Sequence, residues 1–238
     1  MYKNYIFDLY GTLLDIHTNE SSSFFWDKMA QIYTALGANY SKIELKREYQ
    51  TLCKLLKERI DAPFGEIEIR DVFKELFLRK GMTPTEEYVS CIANTFRVLS
   101  RKYLLVYPGI IDLFDCLKAK GKKIYLLSNA QSIFTIPELK QTCLYDYFDG
   151  IVISSEVGIC KPNKEFMEYL LDKYSLNVNE SIMIGNDKNC DIVIANSCGM
   201  DSLYIHSNIS PENNIDIKST YEILNGDFAN IKHSILEK

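Results

Sequence analysis

Short apolar runs, each bounded by polar or turn-forming residues, recur along the chain. Amphipathic segments, whose apolar residues repeat at intervals of three and four, lie between the later runs, and the clearest are residues 110–120 and 164–174. This alternation predicts an α/β fold in which helices cover both faces of a parallel sheet. The runs predicted to be buried strands are residues 3–8, 123–128, 150–154, 181–185 and 202–206.

Residues 16–104 interrupt this alternation with long amphipathic stretches and no convincing strand. We therefore predict an α/β core domain, residues 1–15 and 105–238, and a helical domain, residues 16–104, inserted after the first strand. Ligands of open α/β sheets bind at the carboxyl ends of the strands, so the inserted helices are expected over that edge. Gly and Pro residues divide the insert into predicted helices at residues 20–36, 41–60, 66–80 and 85–104.

Composition narrows the functional classes. The chain has 238 residues, of which 47% are hydrophobic and 25% charged, as in an ordinary globular protein. Its net charge of -5 and pI near 5.4 argue against nucleic acid or an anionic membrane as the main partner. Seven scattered cysteines without CxxC spacing predict a reduced, cytoplasmic protein. No secretion signal, transmembrane segment, P-loop or dinucleotide-binding fingerprint is predicted.

Polar residues follow four of the predicted strands. Taken singly, each cluster is typical of a turn or a helix cap. Because the carboxyl ends of parallel strands meet at one edge of a sheet, the clusters together predict one pocket with a carboxylate, hydroxyl and amide donors, a cation and an acidic pair. The clusters, in chain order, are Asp8 with Gly11 and Thr12, Ser128 with Asn129, Lys161 with Pro162, and Asn186 with Asp187 and Asp191.

The order of these clusters resembles the motifs of the haloacid dehalogenase-like hydrolase superfamily. The resemblance covers residues 5–15 and 105 to about 205. It implies a three-layer, Rossmann-like core, with the inserted helices as a helical-bundle cap between the first and second motifs. The matching stretches are DLYGT (8–12), LLSN (126–129), Lys161-Pro162 and IGNDKNCDIVIANSCGM (184–200).

The resemblance implies catalytic roles for two of these residues. Asp8 is the expected nucleophile, because a carboxylate is ionised at neutral pH and needs no base before it forms a covalent aspartyl intermediate. Lys161 is expected to neutralise the charge of the transferring group of a small anionic substrate. The residues expected to bind that group are Gly11, Thr12, Ser128, Asn129 and Lys161.

Mg²⁺ is the cofactor that the resemblance implies. Its expected ligands are Asp8, the backbone carbonyl of Tyr10, and the segment containing Asn186 and Asp187. The usual first acid of this segment falls on Asn186, whose amide oxygen is an acceptable ligand but carries no charge. We expect Asp187 or Asp191 to compensate, and we expect weaker metal binding than in a fully acidic site.

Tyr10 departs from the pattern of the family's phosphatases, which carry an aspartate two residues after the nucleophile to protonate the leaving group. Such general acid–base catalysis contributes roughly 10²–10⁴-fold. A phenol, with a reference pKa of about 10, can donate a proton but is a poor base. Tyr10 is therefore either a catalytic donor or an aromatic wall beneath the cap.

Three functions remain open on the sequence. A Mg²⁺-dependent phosphatase of a small phosphorylated metabolite with a good leaving group is favoured, because Gly185 and nearby carboxylates remain in motif four. A 2-haloacid dehalogenase also matches, since those enzymes carry DxYGT. However, Arg47 lies later than their cap arginine, Met167 occupies the position of their tyrosine, and motif four differs. The third alternative is a catalytically weakened binding module.

Overall fold

The computed structural model of the protein describes residues 2–212 and 217–236. Within them, six strands form a parallel sheet and two form an antiparallel pair. The strands are β1 (Asn4–Phe7), β2 (Leu14–Thr18), β3 (Arg101–Val106), β4 (Lys123–Ser128), β5 (Gly150–Ile153), β6 (Ser181–Gly185), β7 (Asp201–Ile205) and β8 (Tyr221–Ile223). The helices are α1 (Ser23–Ala35), α2 (Lys42–Glu58), α3 (Ile69–Leu78), α4 (Glu86–Ser100), α5 (Ile110–Ala119), α6 (Ser132–Gln141), α7 (Ser154–Val157), α8 (Lys164–Lys173), α9 (Val193–Ser197) and α10 (Asn230–Leu236).

The six-stranded sheet has the order β5-β4-β1-β6-β7-β8, which places β1 between β4 and β6. Successive side chains of a strand point to opposite faces of the sheet. Tyr5 and Phe7 accordingly join one apolar cluster with residues of α5 and α10, whereas Ile6 joins a second cluster with residues of α8 and α9. The sheet is therefore the middle of three layers, and the predicted α/β fold is confirmed.

A third apolar cluster lies among α1, α2, α3 and α4. Its centre is aromatic: the ring of Phe96 lies 4.9 Å from that of Phe25 and 5.3 Å from that of Phe73, between ring centroids. Ile133 and Phe134, at the start of α6, belong to the same cluster. The inserted helices thus pack on the helix that follows β4, at the carboxyl edge of the sheet.

The expectation that residues 16–104 contain no strand is wrong at both ends. The helix predicted for residues 85–104 ends at Ser100, and β3 then pairs antiparallel with β2. Local pattern missed this pair because each strand is short, partly exposed and stabilised by a partner about ninety residues away. Both proposed domain boundaries fall within this strand pair, which connects the inserted helices to the sheet.

The edge strand β8 was not anticipated either, because its three residues carry too little pattern to be recognised. The other predicted strands match the structure to within a residue or two at each end. Among the helices of the described residues, none has both the length and the apolar character needed to cross a bilayer.

Substituting Phe96 with alanine is expected to destabilise the helical insert. The side chain is 2% exposed, and deletion of a buried phenylalanine ring typically costs about 3–5 kcal/mol of unfolding free energy. Urea unfolding, followed by circular dichroism, measures the change. Val98→Ala on the same helix, where the side chain is 62% exposed, is the matched control and should change stability little. Equal losses in the two variants would contradict the packing described here.

Candidate active site

Asp8 lies at the carboxyl end of β1 and is 8% exposed. The chain then turns through Gly11, whose φ of +90° favours glycine. A Cβ at Gly11 would lie 2.2 Å from Nδ2 of Asn186, so the absence of a side chain also permits a close approach. The buried hydroxyl of Thr12 lies 3.3 Å from Oδ2 of Asp8 and 3.3 Å from Oδ1 of Asn186. The turn therefore brings the first and fourth clusters together.

Lys161 connects three of the clusters. Its Nζ donates to Oδ1 of Asp8 at 2.6 Å and to the carbonyl oxygen of Leu127 at 2.8 Å, and lies 2.8 Å from Oδ1 of Asp191. Burial alone would lower the pKa of this ammonium group, but the carboxylates of Asp191 and Asp8 raise it above its ordinary value. Lys161 is therefore a buried cation, 3% exposed, whose charge is balanced by two acids. The Lys161–Pro162 peptide bond is cis.

Asp191 is presented by one turn of π-helix, Lys188–Ile192, which begins after β6. Its Oδ2 accepts a hydrogen bond from the backbone N–H of Asp187 at 2.9 Å. A Cβ at Gly185 would lie 2.2 Å from this oxygen, so only glycine leaves room for the carboxylate at the end of β6. Burial raises the pKa of Asp191, while Lys161 acts in the opposite direction.

Ser128 and Asn129, at the end of β4, lie in different environments. The Asn129 amide brackets the backbone of Lys161: Nδ2 donates to its carbonyl oxygen at 3.0 Å, and Oδ1 accepts from its N–H at 2.8 Å. The side chain of Asn129 thus fixes the segment that carries the lysine. The Ser128 hydroxyl is buried without a hydrogen-bond partner in the part of the chain that the structure describes. Buried hydroxyls without a partner are uncommon in folded proteins, and this one lies at a strand end next to Asn129 of the cavity, where a ligand could accept its hydrogen bond.

Asn186 and Asp187 follow β6 as predicted, but their side chains are differently engaged. Asn186 is 4% exposed, and its Nδ2 donates to the hydroxyls of Ser207 and Ser210, at 3.4 Å each. Its Oδ1 faces Thr12 on the side of Asp8. Oδ1 of Asp187 accepts from the N–H of Asn189 at 2.8 Å and so caps the π-helical turn.

The oxygens around Asp8 are of the hard type that Mg²⁺ prefers. Oδ2 of Asp8 and Oδ1 of Asn186 are both within reach of one hydroxyl, that of Thr12, so they lie on the same side of the turn. Across residues 2–212 and 217–236, no three His, Cys, Asp or Glu side chains form a metal-binding group. A cation here would therefore rely on amide and backbone oxygens beside Asp8, and this donor set fits Mg²⁺.

Tyr10 lines the pocket, but its hydroxyl is bound elsewhere. It donates to Oε2 of Glu138 at 2.5 Å and lies 3.3 Å from the hydroxyl of Thr135, both on α6. Burial raises the pKa of Tyr10 above its ordinary value, and the carboxylate of Glu138 adds to the effect. The phenol thus stays protonated and hydrogen-bonded beneath the inserted helices, with Arg97 of α4 over its ring.

A cavity of about 180 Å³ opens beside Asp8. Three of the residues that line it were not predicted as site residues. They are Cys190 in the π-helical turn, and Ile209 and Pro211 in the loop after β7. The sequence gives no signal for the loop residues, because they follow a strand that carries none of the recognised motifs. The lining residues are Asp8, Tyr10, Asn129, Lys161, Asn186, Asp187, Cys190, Asp191, Ile209 and Pro211.

Two residues weighed for the dehalogenase alternative lie away from this cavity. Arg47 borders a separate surface cavity of the insert with Trp26 and Lys42, and its side chain is 69% exposed. Met167 is fully buried in the apolar cluster beneath the sheet. Neither contributes a polar group beside Asp8.

Comparisons with known proteins agree with this geometry. A family model described as haloacid dehalogenase-like hydrolase matches residues 2–199. Glyceraldehyde 3-phosphate phosphatase from Methanothermobacter thermautotrophicus is 29% identical over 182 residues, which make up 76% of this chain and 68% of that protein.

Two solved structures share the fold over nearly the whole chain. The HAD-hydrolase YfnB from Bacillus subtilis, bound to magnesium, matches with a TM-score of 0.56 and 19% identity, over 98% of this chain and 97% of that chain. A 2-haloacid dehalogenase from Pseudomonas syringae pv. Tomato matches with a TM-score of 0.66 and 18% identity, over the same shares. At these identities the structures show the fold alone. With the family model spanning most of the chain, this protein belongs to the haloacid dehalogenase-like hydrolases and is a hydrolase.

Proposed function

We propose that this hydrolase is a Mg²⁺-dependent phosphatase of a small phosphorylated metabolite and that Asp8 is its nucleophile. The observation that carries the proposal is the buried ammonium group of Lys161, held between Asp8 and Asp191 at the edge of a cavity. A fixed positive charge in a water-poor site stabilises the negative charge that develops during phosphoryl transfer. The named phosphatase relative supports the same chemistry.

The reaction follows from the residues around Asp8. A carboxylate oxygen of Asp8 attacks phosphorus, and the bond from phosphorus to the leaving oxygen breaks with its electron pair on that oxygen. Lys161 holds Oδ1 of Asp8 in place and offsets its charge. Ser128 is not in the cavity lining but precedes Asn129, which is, and its hydroxyl has no hydrogen-bond partner among the described residues, so we assign it as a donor to the phosphoryl group. Water then hydrolyses the aspartyl phosphate and releases phosphate.

Mg²⁺, held by Asp8, the Tyr10 carbonyl and Asn186, would neutralise phosphoryl charge. Asp187 supports this segment by capping the π-helical turn. The magnesium-bound relative supports this cofactor.

The cavity supports a substrate class. Its volume of about 180 Å³ leaves room for a phosphoryl group and a few carbon atoms. Among the described residues that line it, Lys161 is the single basic one, and it is already balanced by two acids. We therefore propose a substrate whose remainder is uncharged. The seven cysteines are free thiols, which fits the cytoplasmic setting that we also propose.

The leaving group should matter strongly in this enzyme. Because the Tyr10 hydroxyl is bound to Glu138, no acid at this position protonates a departing alkoxide. We expect aryl and acyl phosphates to be hydrolysed roughly 10²–10⁴-fold faster than alkyl phosphates of similar size. A panel of such esters, assayed for phosphate release with and without Mg²⁺, measures the difference. Comparable turnover of alkyl and aryl esters would contradict this expectation.

Asp8→Asn should abolish hydrolysis, because an amide oxygen cannot form the aspartyl intermediate. Loss of a nucleophile lowers kcat by many orders of magnitude, on the order of 10⁶ in a well-studied protease. Asp115→Asn, an exposed acid on α5, is the control for the same chemical change. If Asp8→Asn retained every activity of the wild type and still bound ligand, the binding-module alternative would replace the phosphatase.

Asn186→Asp should strengthen Mg²⁺ binding. The change adds one negative charge beside Asp8, and the rotating hydroxyls of Ser207 and Ser210 can then donate to the new carboxylate. We expect Kd for Mg²⁺, measured by titration calorimetry, to fall by about tenfold, equivalent to about 1.4 kcal/mol. Asn179→Asp, an exposed site before β6 at the other edge of the sheet, adds the same charge and should leave Kd unchanged. Equal effects of the two changes would contradict a local metal site.

Dehalogenation remains the second candidate, favoured by Tyr10 at its position after the nucleophile. Halide leaves without protonation, so this chemistry tolerates the same lack of an acid. Release of chloride or bromide from 2-halo acids without metal, together with no phosphate release from any ester, would establish it in place of the phosphatase.

A further inference from the structure

We propose that Glu138 is a positioning residue that couples the inserted helices to the loop carrying the nucleophile, and that Tyr10 is its partner on that loop. The inference rests on the proposed hydrolysis at Asp8. Tyr10 stands two residues after Asp8, whereas Glu138 lies on α6. The cation that joins them, Arg97, belongs to the last turn of α4. One side chain thus contacts both parts of the molecule.

The carboxylate of Glu138 receives four hydrogen bonds. Oε2 accepts from the Tyr10 hydroxyl at 2.5 Å and from Nη2 of Arg97 at 3.1 Å. Oε1 accepts from Nε of Arg97 at 2.7 Å and from Nη1 of Arg101 at 3.1 Å. Because Glu138 is 2% exposed, its charge is tolerated only while these partners stay in place. Displacement of the inserted helices would remove both arginines and leave the Tyr10 hydroxyl as the one donor among these partners.

The identity of residue 10 follows from this network. An aspartate there would be too short to reach Glu138 and would leave Oε2 without the hydrogen bond that the Tyr10 hydroxyl donates. A phenol instead donates one hydrogen bond to the carboxylate and offers its ring to the guanidinium of Arg97, 5.5 Å away. The role of Tyr10 is therefore to contact Glu138, and the proton of its hydroxyl is engaged in the hydrogen bond to the Glu138 carboxylate.

Arg101 places the network where the insert joins the sheet. It is the first residue of β3, which pairs with β2, so both connections between the insert and the sheet run beside Glu138. Other attachments lie elsewhere: the N–H of Glu66 donates to the carbonyl of Gly158 at 2.8 Å, and the amide of Gln131 bonds to the backbone of Ile67 and Ile69. Within the part of the chain that the structure describes, the Glu138 network is the attachment that includes a side chain between Asp8 and Leu13, that of Tyr10.

The test compares Tyr10→Phe, Glu138→Gln and the double variant. Each single variant loses a hydrogen bond to a charged group, and we expect kcat to fall by about tenfold, equally for aryl and alkyl esters. The double variant should be no slower than Glu138→Gln alone, because both changes break one network. Tyr147→Phe, which loses an exposed hydrogen bond to Asp115, is the matched control and should leave kcat unchanged.

Hydrogen–deuterium exchange provides a readout that does not depend on activity. Arg97→Lys keeps the charge but loses the paired contact with Glu138, so exchange should rise about tenfold in residues 8–14 as well as in residues 86–106. Faster exchange in residues 8–14, caused by a substitution on the insert, would demonstrate that the two regions are coupled. The sheet strands β4 and β6 should exchange as in the wild type.

Three results would overturn the proposal. A much larger loss for alkyl than for aryl esters in Tyr10→Phe would make Tyr10 a general acid. Additive losses in the double variant would separate Tyr10 from Glu138. Unchanged exchange in residues 8–14 of Arg97→Lys would remove the coupling. If Glu138→Gln fails to fold, Tyr10→Phe and Arg97→Lys still decide. If the wild type hydrolyses no phosphate ester, the proposed phosphatase activity is wrong, and the coupling is then tested by the exchange measurement alone.

Discussion

The buried ammonium group of Lys161 is the interaction on which the site depends. A lysine removed from water is stable as a cation only when nearby acids balance it, and Asp8 and Asp191 do so at 2.6 and 2.8 Å. Those two acids come from different strand ends, so the lysine holds the ends of β1 and β6 at fixed separation. The carbonyl of Leu127 adds β4 to the same point. The Lys161 ammonium group thus fixes the relative positions of the ends of three strands.

The surrounding backbone is shaped to permit that arrangement. The π-helical turn directs Asp191 inward, and Gly185 leaves the space that its carboxylate occupies. Asn129 fixes the backbone of Lys161 from the other side. With Asn186 neutral, the charged residues that line the cavity are Asp8, Asp187, Asp191 and Lys161, and their formal charges sum to −2. An aspartate at position 186 would bring the sum to −3, so the amide makes the site less dependent on a cation for its charge balance.

Much of the core could be predicted because its information is local. The apolar runs of the central strands and the polar residue at each strand end are read directly from the sequence, and parallel topology then brings the ends together. The contacts that could not be predicted join distant segments. β2 and β3 support each other across the insert, and Tyr10 meets Glu138 more than a hundred residues later. That the Ser128 hydroxyl has no hydrogen-bond partner in the described part of the chain also becomes visible only in the folded structure.

The position of the Tyr10 hydroxyl changes what that residue says about chemistry. From the sequence, Tyr10 separates phosphoryl transfer from carbon–halogen hydrolysis. In the structure its hydroxyl is bound to Glu138, so either reaction would proceed without its proton and with a leaving group that departs as an anion. The two reactions are therefore distinguished by the groups that bind a phosphoryl oxygen, and no longer by Tyr10. The Ser128 hydroxyl has no hydrogen-bond partner among the described residues, and the oxygens of Asp8 and Asn186 each lie 3.3 Å from the Thr12 hydroxyl. Both features suit a phosphoryl group with its cation, which is why the phosphatase is the function proposed here.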